Sequence, residues 1–497
     1  VVVVPPSATW RPKTYELLQQ FVEHGGTLIF AGELPSEIDC EPATAKWRAL
    51  AMKSMTIPCS CVQIQAALDK VVPRSITLRD PDGSPVKETF MHTRVDGDQH
   101  IIFIVNNDPD HAQDYVLSLP GEKTLTVWDA LSGKRVLAQT QPTGEQQRYV
   151  FTLPPAGSVL LVAESATIDS IYPEHRLPDL SSGTVCPLTN NWSFTRTEDN
   201  VLVLDRLQYS LDGGQTWSKR DLECRMRRTL AKHFGTTEAL QWQPWVAIQK
   251  GLFIGKGGAV TLRYRFTSAL YQPKAFFVME NLRYGALTIN GMPVDTSHTS
   301  WQWDRGFGKV EITEYVIAGE NTIDVRLHYD FLTAIEAAYI VGDFAVQLTS
   351  PYEGQIISEP TILPNGSWLE AGYPFYSGTI IYRTDFIAPT MTGRTFLRLI
   401  RASGILYHIR VNGQKVGSIL SRPHVIELTD VLVPGTNMLE IEVVASRQNT
   451  FGPLHERDGE DHPYVNSAAF EEESVIREEL SLYDYGLLDG AKLVISD

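Results

Sequence analysis

A pair of turns separated by alternating apolar runs occurs twice in the second half of this 497-residue chain. The first copy, Leu287–Leu327, has an Asn-Gly turn at Asn290-Gly291 and a Gly-x-Asn turn at Gly319-Glu320-Asn321. The second copy, Tyr407–Val443, has the same two turns in the same order. Asn-Gly between alternating runs favours a two-residue hairpin, and alternation with period two is typical of half-buried strands. The repeat therefore predicts two tandem β domains of one design.

The sequence before this repeat changes its period. Val1–Val4 is a continuous apolar run, and Thr14–His24 has apolar residues at helical spacing, which together predict a β-α-β unit. From residue 71 to 165 the pattern has period two with frequent turn residues, which is typical of an all-β sandwich. We predict a mainly β chain of tandem β-sandwich (jelly-roll) domains, preceded by a partial α/β domain of flavodoxin-like design. The expected segments are a partial α/β domain at 1–70, a small β-sandwich at 71–165, a linker at 166–190, a first jelly roll with an insertion at 191–350 and a second jelly roll at 351–497.

The α/β segment is expected to be incomplete. One β-α-β unit cannot cover both faces of a parallel sheet, and Val1 begins a strand with no turn or cap before it. We therefore expect the segment to be the closing part of a larger domain whose earlier part precedes Val1.

Charge and cysteine content exclude several classes of function. The net charge of −16 argues against a nucleic-acid partner, because phosphate binding requires a basic surface. Five cysteines are too few for a disulfide framework, and Cys59-Ser60-Cys61 is too closely spaced for the usual zinc site. The sequence contains no run of 18 apolar residues and so predicts no membrane span, and we expect no membrane partner. The sequence itself leaves the localisation open.

The repeated turns resemble those of the galactose-binding-like jelly roll of large glycoside hydrolases. Three longer stretches, Asn190–Trp217, Gly372–Phe386 and Arg447–His462, resemble the region that follows the catalytic core in α-L-rhamnosidase-like and β-galactosidase-like multidomain enzymes. The β-α-β start resembles their amidotransferase-like domain, and residues 71–165 resemble their small β-sandwich.

This resemblance implies an accessory, carbohydrate-binding region of a glycoside hydrolase that acts in polysaccharide degradation. The (β/α)₈ barrel that carries the catalytic carboxylates of those enzymes needs about 250 residues of alternating strand and helix. Only residues 1–70 alternate in this way, so we expect the catalytic barrel upstream of residue 1 or on a second chain. The resemblance also implies a periplasmic or extracellular location.

The stretch Trp301-Gln302-Trp303-Asp304 is the main candidate for carbohydrate binding. Tryptophan is costly to expose in a loop unless it stacks on a ligand, and sugar rings offer flat C–H faces. The carboxylates of Asp304 and Glu280 could accept hydrogen bonds from sugar hydroxyls. The alternative is that the loop folds back on the sandwich and that Glu280 pairs with an arginine or caps a turn.

A second group of candidates lies near the carboxyl end. The resemblance implies that Arg447 and His455 complete a sugar pocket. His455 with Asp458, Asp461 and His462 could instead bind a divalent cation such as a structural Ca²⁺, and we expect no other cofactor. A solvated loop is the alternative.

Two other functions stay open. The chain could be a stand-alone carbohydrate-binding protein, or a glycosidase with an unrecognised carboxylate pair at a sandwich interface. Asp304 and Glu336 are the candidates for such a pair, since glycoside hydrolysis normally uses two carboxyl groups. Activity of the isolated chain on aryl glycosides distinguishes the last possibility from the others.

Overall fold

The computed structural model describes residues 1–72, 76–121, 123–130, 133–165, 180, 183–239, 242–252, 254–282, 285–297, 299–333, 335–389, 393–455 and 476–496. The chain forms two compact units, Val1–Arg176 and Leu177–Asp497, and each is described by itself. It is mainly β, as predicted, and its sandwich sheets are largely antiparallel. In the described ranges, no helix is long and apolar enough to cross a membrane.

The first unit begins with the predicted β-α-β arrangement. Strands β1, β3 and β6 form a parallel sheet, and central β3 is buried at every residue, as its apolar run predicts. Trp47 of α2 packs edge-on against Phe30 of β3, with 6.2 Å between ring centroids. The helix predicted at Thr14–His24 is observed as α1. The elements are β1 (Val2–Val4), β2 (Thr9–Trp10), α1 (Pro12–Glu23), β3 (Leu28–Ala31), β4 (Glu37–Ile38), β5 (Glu41–Pro42), α2 (Thr44–Ala51), β6 (Met55–Ile57) and α3 (Cys61–Val71).

The remainder of the first unit is a small β-sandwich, which confirms the period-two prediction. Its strands are β7 (Thr77–Arg79), β8 (Thr89–Asp96), β9 (Gln99–Asn106), β10 (Gln113–Pro120), β11 (Thr124–Trp128), β12 (Arg135–Leu137), β13 (Gln141–Thr143), β14 (Gln146–Leu153) and β15 (Ser158–Glu164). One sheet has the order β13-β14-β10-β7 and the other β12-β11-β15-β9-β8. Tyr115, Leu117 and Leu161 are fully buried between them.

The second unit holds two larger β-sandwiches and, within the described residues, three α-helices. Its elements are β16 (Thr184–Pro187), β17 (Asn191–Arg196), β18 (Asn200–Leu204), β19 (Arg206–Ser210), β20 (Asp221–Leu222), α4 (Glu223–Phe234), α5 (Pro244–Lys250), β21 (Gly258–Ser268), β22 (Ala275–Glu280), β23 (Ala286–Ile289), β24 (Met292–Val294), β25 (Ser300–Gln302), β26 (Asp304–Glu311), β27 (Gly319–Tyr329), β28 (Ala338–Gly342), β29 (Ala345–Ser350), β30 (Glu353–Ile357), β31 (Leu363–Pro364), β32 (Thr379–Ile387), β33 (Arg394–Leu399), β34 (Ala402–Ser403), β35 (Leu406–Val411), β36 (Gln414–Ile419), β37 (Val425–Glu427), β38 (Thr436–Val444), α6 (Gln448–Phe451), β39 (Gly486–Leu487) and β40 (Ala491–Ser496).

Each sandwich is built from two sheets around one core. The first has sheets β18-β28-β22-β26-β25 and β20-β19-β21-β27-β23-β24, with β30 beside β21. The second has sheets β16-β40-β33-β37 and β31-β17-β32-β38-β35-β36. Tyr264 and Phe277 are buried in the first core, and Trp368 and Tyr382 in the second.

The start of the second unit differs from the sequence-based expectation. The sequence places residues 184–196 in the linker and at the start of the first sandwich, but β16 pairs with β40 and β17 with β32 of the second sandwich. Trp192 of β17 explains this placement, because it is fully buried in the second core and its Nε1 donates to Asn365 Oδ1 at 2.8 Å.

The repeated turns of the first sandwich are joined by a pair of asparagine side chains. Asn290 and Gly291, with φ of 52° and 80°, form the turn between β23 and β24. Asn290 Nδ2 donates to Asn321 Oδ1 at 2.9 Å, and Asn290 Oδ1 accepts from the backbone N–H of Thr322 at 2.9 Å. Asn321 is fully buried and also bonds both backbone groups of Ile317.

The second sandwich repeats these bonds. Asn412 Nδ2 donates to Asn437 Oδ1 at 2.8 Å, and Asn412 Oδ1 accepts from Met438 N at 2.9 Å. Asn437 also accepts from Val433 N and donates to the Val433 carbonyl oxygen. The repeat therefore encodes a buried polar bridge between two turns.

Replacing Asn437 with alanine tests this bridge. We expect Asn437→Ala to lower the free energy of unfolding by about 2 kcal/mol, because the Asn412 amide and the Val433 N–H lose a buried acceptor. Urea unfolding measures the loss, and hydrogen exchange should show reduced protection at Val433. Thr436→Ala, at an exposed neighbouring position, is the control and should change neither measurement. Equal stability of Asn437→Ala and Thr436→Ala would contradict the prediction.

Candidate functional site

The two tryptophans of the candidate stretch have different environments. The stretch is a tight hairpin between β25 and β26, in which Gln302 pairs with Asp304 and Trp303 occupies the turn with φ of 59°. The Trp303 ring packs edge-on against Tyr339 and Phe451, at 5.0 Å from each. Trp301 is 58% exposed. Trp303 is thus a packing residue, whereas Trp301 presents its ring to solvent.

Asp304 and Glu280 flank a glycine beside this hairpin. Asp304 Oδ1 accepts from the backbone N–H of Gly306 at 2.6 Å. A Cβ placed on Gly306 would lie 3.0 Å from Asp304 Oδ1 and 3.8 Å from Glu280 Oε1. The two carboxylates therefore lie beside Gly306 on the sheet. Trp301 is the cross-strand partner of Gly308, two residues further along β26.

Glu336 joins these carboxylates around Tyr339. Partial burial and the negative charges of Glu336 and Asp304 raise the pKa of Glu280. Burial raises the pKa of Tyr339 well above its usual value, and Glu336, Glu223, Glu280 and Asp205 add to this shift. Five acidic side chains thus act on one another near Tyr339. We call Asp205, Glu223, Glu280, Asp304 and Glu336 the carboxylate cluster.

The buried side of the cluster contains the predicted residue His455. His455 Nε2 lies 2.8 Å from Asp205 Oδ2, and its Nδ1 lies 3.2 Å from the carbonyl oxygen of Glu479. Both partners are acceptors, so a ring protonated on both nitrogens can donate to each of them. Burial alone lowers the pKa of His455, but the hydrogen bond and charge of Asp205 outweigh it and raise that pKa. His455 in its protonated form is thus a cation beside this side of the cluster.

Glu223 has no comparable partner. It begins α4 and is partly exposed as a residue, but its Oε2 atom is fully buried and has no hydrogen-bond partner within the described part of the chain. Burial, followed by the charge of Asp205, raises the pKa of Glu223 to about 7. Near neutral pH this carboxyl can therefore either hold or release a proton.

The structure brings five of the seven predicted residues together around Tyr339. Glu280, Asp304, Glu336 and His455 influence one another or other members of the cluster electrostatically, and Trp303 packs on Tyr339. Trp301 lies on β25, where it pairs with Gly308, and none of its described contacts reaches the cluster. Arg447 instead forms a bidentate ion pair with Glu198, at 2.7 and 2.6 Å, and none of its described contacts reaches the cluster.

Asp205 and Glu223 are functional candidates that sequence reasoning missed. Asp205 directly follows β18, in which five consecutive residues are buried, and an acidic residue at the end of such a strand is a usable signal. Glu223 gives no such signal, because it follows a two-residue strand.

The described residues do not show a metal site. Within them, no three histidine, cysteine or acidic side chains are grouped so as to hold an ion. Asp458, Asp461 and His462 lie outside the described residues. A structural Ca²⁺ therefore stays a prediction.

Comparison with known proteins gives distant structural neighbours. No protein-family model matches the chain, and no curated protein matches it. A rhamnosidase from Novosphingobium sp. PP1Y matches 96% of this chain at 14% identity with a TM-score of 0.40, and the chain spans 32% of that protein. An α-L-rhamnosidase from Dictyoglumus thermophilum matches 73% of this chain at 12% identity with a TM-score of 0.14, over 47% of its own length.

A lectin from Pleurotus ostreatus in complex with GalNAc matches 51% of this chain, at 13% identity with a TM-score of 0.14 and over 78% of its own length. These neighbours are carbohydrate-active or carbohydrate-binding proteins. The TM-scores and identities are low, so no residue role is transferred from them.

The pKa of Glu223 predicts a pH-dependent stability difference. The folded-state pKa of about 7 lies above the ordinary glutamate pKa of about 4.5, so ionisation of Glu223 costs stability as pH rises from about 4.5 to 7. Glutamine does not ionise. Glu223→Gln should therefore stabilise the protein by on the order of 2 kcal/mol at pH 8 and by much less at pH 5.

Urea unfolding at the two pH values measures this difference. Glu238→Gln, which removes an exposed carboxylate after α4, is the control and should show no pH-dependent difference. An equal effect of Glu223→Gln at pH 5 and pH 8 would show that the native carboxyl is not held protonated.

Proposed function

We propose that this chain is a carbohydrate-binding accessory region of a larger glycoside hydrolase, and that Trp301 with the neighbouring carboxylates binds the sugar. The proposal rests on the resemblance of the tandem sandwiches and on one surface. This surface consists of Trp301, Gly306, Glu280 and Asp304, and we call it the Trp301 surface. Its proposed role is to hold a glycan near a catalytic domain, and we assign the hydrolysis to that domain.

One observation carries the proposal. Trp301 is exposed on β25 beside strand β26, on which Gly306 lies next to Asp304 Oδ1 and Glu280 Oε1. Trp303, two residues away, is partly buried and packs against Tyr339 and Phe451. The same hairpin therefore packs one tryptophan and leaves the other exposed to solvent.

The chemistry of the Trp301 surface suits a neutral glycan. The C–H face of a pyranose packs against an indole ring, and the hydroxyl groups of the pyranose donate hydrogen bonds to carboxylate oxygens. The site already has mutually repelling negative charges, as the raised pKa of Glu280 shows, so an anionic ligand would add to that repulsion. A sugar hydroxyl relieves it, because it donates a hydrogen bond to a carboxylate without adding charge.

Catalysis by the chain itself is a second candidate function. A carboxyl whose pKa is raised beside a second acidic group is the arrangement of a general acid and its partner in glycosidases. Glu280 has this property beside Asp304 and Glu336. The two candidates differ in whether the isolated chain turns over a glycoside.

Substitution of Trp301 tests the binding function. We expect Trp301→Ala to weaken binding to a neutral polysaccharide by about tenfold, because roughly 1.4 kcal/mol of stacking free energy is lost. Affinity gel electrophoresis with arabinogalactan, galactan and xylan measures the change. Trp245→Ala is the matched control, since Trp245 is a comparably exposed tryptophan on α5. Equal retardation of Trp301→Ala and wild type in every gel would sink the proposal.

Assay with aryl glycosides separates binding from catalysis. We expect no turnover of aryl α-L-rhamnosides, β-D-galactosides or β-D-mannosides by the isolated chain above a denatured sample. Turnover that copurifies with the chain and is lost in Glu280→Gln would establish the second candidate. The control is Glu238→Gln, which should leave any such turnover unchanged.

A further inference from the structure

A polar cleft lies in the first sandwich at a place none of the predicted residues occupies. Its inner recess, about 60 Å³, is lined by β18 and β21 together with Arg206, Arg220 and Tyr352. Its mouth, about 470 Å³, is lined by Arg206, Arg220, Ser350, Tyr352, Glu353 and Glu478. The two spaces are adjacent and share four lining residues. The mouth has the size of a small-molecule site, and the recess has room for a hydroxymethyl group.

Two arginines at this cleft keep buried donors without acceptors. The Nε atoms of Arg206 and Arg265 are buried, and neither has a hydrogen-bond partner within the described ranges. Buried donors are almost always paired in folded proteins, so each unpaired one needs an explanation. An oxygen atom from a ligand or from water would supply the missing acceptor.

Each arginine of the cleft already has its own carboxylate. Arg206 Nη2 lies 2.8 Å from Glu478 Oε2, Arg220 pairs with Glu353, and Arg265 Nη1 lies 3.5 Å from Glu320 Oε1. Hydrogen bonds from Arg225 and Arg206 lower the pKa of Glu478 to about 2, so this carboxylate stays ionised. The three pairs balance in charge. An anionic ligand would face three carboxylates, and a cationic ligand would face three guanidinium groups.

The mouth also has an aromatic wall. The Arg206 guanidinium lies 5.5 Å from the ring centroid of Tyr352, and the Tyr352 hydroxyl donates to Glu479 Oε1 at 3.4 Å. Tyr352 is itself partly exposed. The cleft therefore offers an aromatic side chain, unpaired N–H donors and carboxylate acceptors within one space.

From this combination we infer that the cleft binds one uncharged sugar unit, with its hydroxyl oxygens at Arg206 Nε and Arg265 Nε and its ring against Tyr352. Sugar hydroxyls both accept and donate, so they satisfy guanidinium donors and carboxylate acceptors without a net charge. This inference deepens the proposed carbohydrate function and adds a site separate from the Trp301 surface.

Binding of methyl glycosides to the full chain tests the inference. The probes are the neutral methyl glycosides of galactose, glucose, mannose and rhamnose, each at about 10 mM, a concentration that detects millimolar affinity. Galacturonate and glucuronate are the charged counterparts. In ¹⁵N-labelled protein, we expect at least one neutral glycoside to shift the Nε–H resonances of Arg206 and Arg265, and neither uronate to do so. A uronate that binds as tightly as its neutral counterpart would overturn the inference.

Variants locate the bound sugar. We expect Arg265→Lys and Tyr352→Ala to weaken binding about tenfold, and Tyr352→Phe to keep most of it because the ring remains. Arg263→Lys is the matched control: Arg263 lies on the same strand but gives both its Nε and Nη2 donors to Asp324, at 2.7 and 2.8 Å. It should bind as wild type does.

The outcomes separate this inference from the proposed function. If glycosides bind wild type, Arg265→Lys and Tyr352→Ala alike, the cleft is not the site, while the effect of Trp301→Ala on polysaccharide binding still decides the proposed function. If no glycoside shifts either Nε–H resonance, the inference fails. Loss of glycoside binding in Arg265→Lys, together with unchanged polysaccharide binding in Trp301→Ala, would support the cleft and reject the Trp301 surface.

Discussion

The asparagine pair between the two turns of each large sandwich is the interaction on which the second unit depends. Asn321 and Asn437 are buried, yet every polar atom of their side chains has a partner, and the partners are the turn backbone and a second asparagine. A buried amide that lost one bond would cost free energy, so the network admits one relative position of the two turns. The position of the turns in turn fixes the register of the long strands that leave them.

Ion pairs, rather than a shared apolar face alone, join the two sandwiches at the carboxylate cluster. Arg206 and Asp205, at the end of β18 and the start of β19, pair with Glu478 and His455, which follow β38 of the second sandwich. The second sandwich also supplies the Phe451 ring that packs on Trp303. Repulsion among the clustered carboxylates is thus opposed by His455, which comes from the part of the chain that builds the second sandwich.

Sequence reasoning reached the fold because its signals are local. Alternation, the Asn-Gly turns and the amphipathic spacing of Thr14–His24 act within a few residues, and the structure confirms them. The strand partners of β16 and β17 were not predictable in this way. Trp192 of β17 is buried in a core whose other residues lie almost two hundred positions later in the chain. The same limit applies to the site. Asp205 and Glu223 are distant from Glu280 in the sequence, and only the fold brings them to one cluster. The different environments of Trp301 and Trp303 depend on a turn in which Trp303 is the single turn residue.

The placement of β16 and β17 makes the first sandwich an insertion in the second. The chain contributes two strands to the second sandwich, builds the whole of the first from β18 to β30, and then returns at β31. During synthesis, β17 therefore cannot pair until β32 has been translated, whereas the intervening strands can already pair with one another. Folding of the first sandwich brings the two ends of the insertion together. It thereby shortens the loop that the second sandwich has to close, so the order of folding follows from the nesting of the domains.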